Sequence, residues 1–155
     1  MKTLIAHNAY QHRGGEDVVQ QAFHDRYLGL KPPEQVFKLL RTAQFLVAPS
    51  TCYETFPLVA VEAFACGTPI LASRHGGLGE LVTDGVTGLL FNPADATDLA
   101  AKIAWAESHP ERMLEMGRAA RAVYEAKYTP ERNYRILMDI YEEAIAAVHG
   151  VRDAA

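Results

Sequence analysis

Two carboxylates, Glu54 and Glu62, stand eight positions apart in the chain. The residues between them predict a helix that begins near Pro57, so that Glu54 precedes the helix and Glu62 lies inside it. A helix start presents free backbone N–H groups and the positive end of the helix dipole, which together suit a phosphate. A carboxylate further along the same helix can accept hydrogen bonds from neighbouring sugar hydroxyls. The combination fits a site for a nucleotide-sugar.

Elements that could position these groups are visible in the alternation of short apolar segments with helical ones. We expect buried strands at residues 3–8, 44–48, 69–73 and 89–91. We expect helices after the turn at 13–17, from Pro32 onward, and across 58–66, with Gly67 as a left-handed cap. Segment 27–31 fits either a short strand or a connector. This alternation predicts one Rossmann-like, three-layer α/β/α domain with a mainly parallel sheet and right-handed crossovers.

The carboxyl edge of that sheet gathers the candidate residues. Ligands bind beyond the carboxyl ends of parallel strands, and the loops there are 8–15, 49–57 and 73–80. Glu54 falls in the second loop. We interpret Gly76 to Glu80, in the third, as a glycine-rich loop. Gly76 and Gly77, with Glu80, either frame a ligand cleft or form a plain turn and a helix start.

The carboxyl-terminal third of the chain predicts helices. One covers 98–105, and Ser108 to Glu111 matches a capping box before a helix that carries Met113 and Met116. Thr129 and the proline after it predict the start of the last helix, before a frayed tail at 151–155. The methionines and the apolar stripe of the last helix are most simply core. That stripe comprises Tyr134, Leu137, Met138, Tyr141, Ile145 and Val148.

Histidines and cysteines are the remaining candidates for chemistry. His7, His12 and His75 lie near the predicted edge, but their spacing does not support a metal site, so we interpret them as polar loop residues and expect no metal. Cys52 and Cys66 stand in apolar surroundings. They read as structural buried thiols in a reducing compartment, which predicts a cytoplasmic protein.

Composition bounds the class of protein. The 155 residues suit one domain, and 49% hydrophobic with 22% charged residues is an ordinary globular composition. The net charge of -4 argues against a general nucleic-acid surface. No apolar run approaches the roughly 20 residues that a membrane span requires, and the beginning does not fit a signal peptide.

From Lys31 onward the chain resembles the C-terminal half of a retaining glycosyltransferase of family 4, which has the GT-B fold. The segments that carry the resemblance, in order, are FLVAPS from Phe45, ETFPL from Glu54, VEAFACGTPI from Val61, SRHGG from Ser73 and ELVTDGVTGLLF from Glu80. The closing helices extend it over most of the chain. The ordered set is specific, whereas the spacing of the two glutamates alone would be weak.

The resemblance implies roles for the residues that match. Glu62 would hold the ribose hydroxyls of the nucleotide donor, and Glu54 would lie beside the donor sugar. The segment Thr55–Leu58 completes the implied donor site. Within it, Phe56, Pro57 and Leu58 would form the turn whose backbone meets sugar and phosphate.

The beginning of the chain resembles a different part of the family. Residues 1–27 look like the first strand, glycine loop and first helix of the N-terminal domain, whereas 28–150 look like the C-terminal domain. Gly14 and Gly15 would then be a phosphate-side loop, although glycine pairs also occur in plain turns. The family's opening C-terminal strands, which bring an Arg and a Lys for the donor diphosphate, have no match here. Arg13, Lys31 and Arg74 are candidates to substitute for those cations.

These observations support a working hypothesis of an internally deleted or engineered GT-B chain in which the first strand joins the second sheet. It would be a nucleotide-sugar-binding domain derived from a glycosyltransferase, with a nucleotide or nucleotide-sugar as ligand and little activity alone. The alternative is a folding scaffold that binds no ligand. In the family the last helices also reach the other domain, so their apolar surface could instead be exposed and favour a homo-oligomer.

Overall fold

A computed structural model of the chain describes residues 3–5, 28 and 30–153. The strands are β1 Thr3–Ile5, β2 Phe45–Ala48, β3 Ile70–Ser73 and β4 Gly88–Phe91. The helices are α1 Pro33–Thr42, α2 Leu58–Cys66, α3 Gly76–Leu81, α4 Ala96–Ser108, α5 Pro110–Lys127 and α6 Pro130–Asp153.

The four strands form one sheet in the order β1-β2-β3-β4, and every described pairing is parallel. Leu4 of β1 pairs with Leu46 of β2, which pairs in turn with Ile70 of β3. The first strand therefore joins the same sheet as the later ones, as the working hypothesis requires. The expected parallel α/β fold is confirmed.

Both faces of the sheet are covered, which gives the three layers that the sequence predicts. Since successive side chains of a strand point to opposite faces, Leu46 and Ala48 of β2 join a core with α1 and α2, while Phe45 and Val47 join a second core with α4 and α5. All residues of β2, β3 and β4 are buried, as is usual for a parallel sheet with helices on both sides.

Helix α5 contributes to both cores. Met113 and Met116 pack with the second core, whereas Ala120 belongs to the first. Between them, Gly117 lies against the Gly67 carbonyl and the Pro69 ring, where a Cβ would clash with that carbonyl. A glycine at this point lets α5 pass close to the start of β3.

Most element boundaries follow the sequence expectations within a residue or two. Helix α2 spans 58–66 as expected and ends at Gly67, whose φ of 71° lies in the left-handed region. The Thr68 N–H donates to the Ala63 carbonyl, and the Thr68 hydroxyl donates to the Leu40 carbonyl at 2.8 Å. Thr68, just after the end of α2, therefore also links α2 to α1 through a hydrogen bond. In the segment at 27–31, Leu28, Leu30 and Lys31 form no strand.

Residues 76–81 form helix α3, so the interpretation of this segment as a glycine-rich loop is wrong and the alternative of a helix start is confirmed. Other sequence expectations are also wrong. The capping box is also absent, because the Ser108 hydroxyl donates back to carbonyls of Ala104 and Trp105, and helix α5 starts at Pro110 without a side-chain cap. The apolar stripe of α6 is exposed rather than core from Tyr134 to Ile145, in contrast to Met113 and Met116, which are buried as expected.

Helix α6 is described as far as Asp153, and the last two residues of the expected tail at 151–155 lie outside the described residues. No helix in the described part of the chain has both the length and the apolarity needed to cross a bilayer.

Candidate functional site

The start of helix α2 is the centre of the candidate site. It follows the 49–57 loop, beyond the carboxyl end of β2, with Pro57 as the N-cap residue. The Ala60 and Val61 N–H groups donate to the Pro57 carbonyl, at 3.0 and 3.4 Å. Within the described residues, no acceptor meets the N–H groups of Leu58 and Val59, no side chain caps the helix, and the first turn holds no acid. Two N–H donors and the positive helix end are thus left for a ligand.

Glu54 is fixed beside this helix start through its main chain. Its carbonyl accepts a hydrogen bond from the Gly77 N–H at 2.9 Å. Its side chain is half-buried, and Oε1 accepts a long bond of 3.4 Å from the Ser50 hydroxyl, which in turn accepts from the Cys52 N–H. The loop therefore orients the carboxylate while leaving most of its hydrogen-bonding capacity unused.

The start of α3 packs directly on the Glu54 loop. A Cβ at Gly77 would lie 2.8 Å from the Glu54 carbonyl oxygen and 2.9 Å from Pro57 Cδ, so only glycine fits there. Gly76 has a φ of 50°, which other residues rarely adopt. The sequence prediction that these two loops meet at one edge of the sheet is confirmed, although the second begins a helix.

An aromatic pair beside Glu54 was missed by the sequence reasoning. The rings of Tyr53 and His75 lie 4.0 Å apart at 44°, and Tyr53 is 83% exposed. Phe56 is also exposed and meets the Tyr128 ring edge-on at 6.0 Å. The available signal was the presence of aromatic residues on both sides of Glu54. His75 thus makes a tilted ring contact with Tyr53 as well as being a polar loop residue.

Glu62 has different surroundings from Glu54. It is half-buried on α2 and lines a groove of about 370 Å³ between helices α1, α2 and α5. The other lining residues are Phe37, Arg41, Val61, Ala65, Cys66, Arg121, Tyr124 and Tyr128. Among the described residues, none forms a hydrogen bond or ion pair with the Glu62 carboxylate, so both of its oxygens can serve a ligand.

Arg74 does not serve as a free cation at the α2 start. Its guanidinium donates to Asp84 Oδ2 at 2.7 Å, and the other Asp84 oxygen accepts from the Leu90 N–H at 2.9 Å. Burial alone would raise the pKa of Asp84, but these two hydrogen bonds and the nearby charge of Lys102 outweigh it and hold that pKa below its ordinary value. Lys31 is half-buried just before α1.

Several predicted residues lie outside the part of the chain that is described. They are His7, His12, Arg13, Gly14 and Gly15.

The cysteines fit a structural role. Neither forms a disulfide with another described residue, and both are half-buried, so the expected full burial is not reached. Burial raises the pKa of the Cys66 thiol despite the nearby Arg41 and Arg121, so the uncharged form is favoured. Within the described ranges, no three histidine, cysteine or acidic side chains form a group that could hold a metal ion.

Known glycosyltransferases resemble this chain in sequence. A D-inositol 3-phosphate glycosyltransferase of Saccharomonospora viridis is 38% identical over 125 residues, which cover 81% of this chain and 28% of that protein. An uncharacterized glycosyltransferase of Methanocaldococcus jannaschii is 37% identical over 120 residues, covering 77% and 34% of the two chains. The chain thus spans about a quarter to a third of these relatives.

Solved structures resemble it in fold. The sucrose-phosphate synthase of Thermosynechococcus elongatus superposes with a TM-score of 0.77 at 32% identity, over 94% of this chain and 38% of that one. The Anabaena protein HepE, solved in complex with UDP-glucose, superposes with a TM-score of 0.70 at 25% identity, over 82% and 35%. The model of the family described as glycosyl transferases group 1 matches residues 23–123. The chain belongs to this family.

Proposed function

We propose that this chain is a nucleotide-sugar-binding unit of a group 1 glycosyltransferase, the half that holds the donor. The observation that carries the proposal is the start of α2. Its Leu58 and Val59 N–H groups have no acceptor in the described chain, and they lie next to Glu54, whose loop is locked in place by Gly77. The binding of UDP-glucose by the Anabaena relative supports a uridine nucleotide as the first donor to test.

Each group has a separate role in the proposal. The α2 N–H groups meet the diphosphate, since a helix start favours anions. Glu62 accepts hydrogen bonds from the two ribose hydroxyls, for which both its oxygens are available. Glu54 lies beside the sugar, where its partly unused carboxylate accepts from sugar hydroxyls. The proposal needs no metal, because backbone N–H groups and carboxylates supply the contacts.

The proposed affinity is low. A neutral N–H donor contributes about 1 kcal/mol net, and a donor to a charged phosphate about 2 kcal/mol. Two such donors cannot replace a pair of cations against a diphosphate, particularly with Glu54 and Glu62 nearby. Arg74 is engaged with Asp84. We therefore expect Kd values in the range of about 0.1–1 mM rather than micromolar.

Transfer by these 155 residues alone is not expected. It needs an acceptor held opposite the departing phosphate, and the described residues supply one wall only. In the proposal, the rest of the active site comes from chain beyond the quarter to third that the relatives share with this protein. Sugar transfer by the chain alone at an ordinary enzymatic rate would contradict this.

The decisive experiment is titration calorimetry of the chain with UDP-glucose, UDP and other nucleotide-sugars. We expect saturable binding that Glu62→Gln weakens about tenfold or more, because the ribose loses a charged acceptor. Glu107→Gln is the matched control: this exposed glutamate on α4 has no described partner and should leave binding unchanged. Absence of binding by the parent, or equal losses in both variants, would contradict the proposal.

The competing candidate is a folded domain that binds no ligand. The engagement of Arg74 with Asp84 favours it, because it removes one cation from the α2 start. This candidate predicts that no nucleotide-sugar raises the melting temperature, whereas a ligand at one hundred times its Kd stabilises by about 2.7 kcal/mol. A thermal-shift screen across nucleotide-sugars separates the two.

A further inference from the structure

Tyr53, the residue before Glu54, carries an aromatic ring that has no part in the proposed donor contacts. The residue is 83% exposed, yet its ring meets that of His75, with 4.0 Å between the ring centroids and 44° between the planes. Single exposed aromatic residues are common on protein surfaces and need no explanation. An exposed ring that is supported by a second ring, next to a carboxylate with unused hydrogen-bonding capacity, is instead a combination typical of binding sites.

The backbone that carries the two rings is held in place. Gly76 packs so closely that a Cβ there would lie 3.5 Å from the Tyr53 Cα and 3.4 Å from both the N and the O atom of Glu54. The Gly77 N–H donates to the Glu54 carbonyl at 2.9 Å. His75 comes directly before these contacts, with extended backbone at φ -152° and ψ 137°. The loops after β2 and β3 therefore fix each other, so a ligand of the ring pair has little backbone to order.

The position of Tyr53 in the proposed site favours the sugar as its ligand. In that site the ribose lies at Glu62, the diphosphate at the first N–H groups of α2, and the donor sugar at Glu54. Tyr53 is the next residue in this order, with its Cα about 3.8 Å from that of Glu54. The nucleobase is joined to the ribose and therefore belongs at the opposite end. Stacking of the base on Tyr53 would reverse the order of the ligand's groups along α2.

An aromatic ring beside a carboxylate suits the two kinds of surface that a hexopyranose presents. The C–H groups on a face of the sugar ring carry partial positive charge, because their carbons also bear oxygen, and they are attracted to the negative face of an aromatic ring. The hydroxyls around the rim of the sugar donate to a carboxylate. Tyr53 and Glu54 supply these two partners from consecutive positions of one fixed loop.

We propose that Tyr53 is a sugar-stacking residue of the donor site, that His75 positions its ring, and that the pair favours a hexopyranose as the sugar of the donor. The inference rests on the proposed donor site and adds a contact with one part of the donor only. The ring contributes to binding of the sugar and leaves the nucleotide contacts at Glu62 and the α2 start unchanged. A nucleotide that carries no hexopyranose gains nothing from the pair.

Nuclear magnetic resonance titrations with UDP-glucose and with UDP separate the sugar contact from the nucleotide contacts. We expect Tyr53→Ala to raise the Kd for UDP-glucose about fivefold, the effect of one or two weak C–H contacts, and to leave the Kd for UDP unchanged. Tyr53→Phe keeps the ring and should bind both ligands like the parent. Tyr134→Ala is the matched control, because it removes a tyrosine on α6 that is 62% exposed, and it should change neither Kd.

Saturation-transfer difference spectra show which protons of the bound donor contact the protein. In the parent chain we expect transfer to the ring protons of glucose as well as to those of ribose and uracil. In Tyr53→Ala the glucose signals should fall relative to the ribose signals. His75→Ala should lower the glucose signals in part, and His75→Phe, which keeps a ring at that position, should restore them. A purely structural role of His75 would lower the signals of all three groups together.

The two ligands distinguish failure of this inference from failure of the donor site. A parent chain that binds neither UDP nor UDP-glucose rejects the donor site and the stacking residue together. A parent that binds both, with an unchanged Kd for UDP-glucose in Tyr53→Ala, rejects the stacking residue alone. Equal losses for UDP and UDP-glucose in Tyr53→Ala also reject it, because the substitution would then act on the loop and not on a sugar contact.

Discussion

Gly77 is the residue through which the two loops of the candidate site meet. Its N–H donates to the Glu54 carbonyl, and its missing Cβ leaves room for that carbonyl and for Pro57. The glycine thus holds the Glu54 loop in position without contributing a side chain. The position of the Glu54 loop therefore depends on the absence of a side chain at Gly77.

Gly77→Ala should destabilise the fold and weaken binding at the proposed site together. The added Cβ would clash with backbone atoms that are held in place. Such overpacking typically lowers the free energy of unfolding by about 1–3 kcal/mol. Urea unfolding measures the first effect and nucleotide calorimetry the second. Gly79→Ala is the milder control, because a Cβ at Gly79 would lie 3.3 Å from its nearest neighbour, the backbone carbonyl carbon of Arg74. Unchanged unfolding in Gly77→Ala would mean that the loop adapts freely.

Asp84 makes stability depend on pH in acid. Its pKa is lower in the folded chain, so its contribution is complete above the unfolded value of about 3.9 and is lost as the pH falls through the folded value. Asp84→Asn should therefore reduce stability near neutral pH, by less than about 1 kcal/mol because the pair is partly solvent-screened.

The difference between Asp84→Asn and the parent should shrink below about pH 4, as urea unfolding at a series of pH values can show. Asp139→Asn on α6 is the control, since Asp139 is exposed and no hydrogen bond joins its carboxylate to another described residue. A difference that stays constant with pH would rule out the charge of Asp84 as its cause.

The helices and strands follow from local rules wherever those rules agree. Helix α2 has a proline before it, an apolar run and a glycine stop, so its bounds could be read from sequence. Helix α3 could not, because its three glycines have low helix propensity and its first turn is held by the distant Glu54 carbonyl. The predicted capping box does not form, because the Ser108 hydroxyl donates to carbonyls of the preceding turn.

Helix α4 offers a test of a cap that does form. The Asp95 carboxylate accepts from the N–H groups of Thr97 and Asp98, at 3.0 and 2.9 Å. Asp95→Ala should cost about 1 kcal/mol in urea unfolding, since two helix donors lose their acceptor. Ser108→Ala at the other end of α4 is the control and should cost less. Equal costs would show that the Asp95 cap adds nothing specific.

At the scale of the whole molecule, sheet architecture was predictable and the groove was not. Parallel strands place their carboxyl ends at one edge, so the meeting of the Glu54 and Gly76 segments could be expected from alternation alone. The groove beside Glu62 combines Phe37, Arg41 and Tyr124 from helices far apart in sequence. No local pattern encodes such a grouping, because it depends on how α1 and α5 pack against α2.

The path of α5 has a consequence for how the protein unfolds. One end of this helix packs with the core on one side of the sheet, and the other end packs with the core on the opposite side. Helix α5 is therefore shared by the two cores, and it packs at Gly117 against the turn before β3. Detaching α5 would open both sides at once, which favours loss of the two cores in one cooperative event.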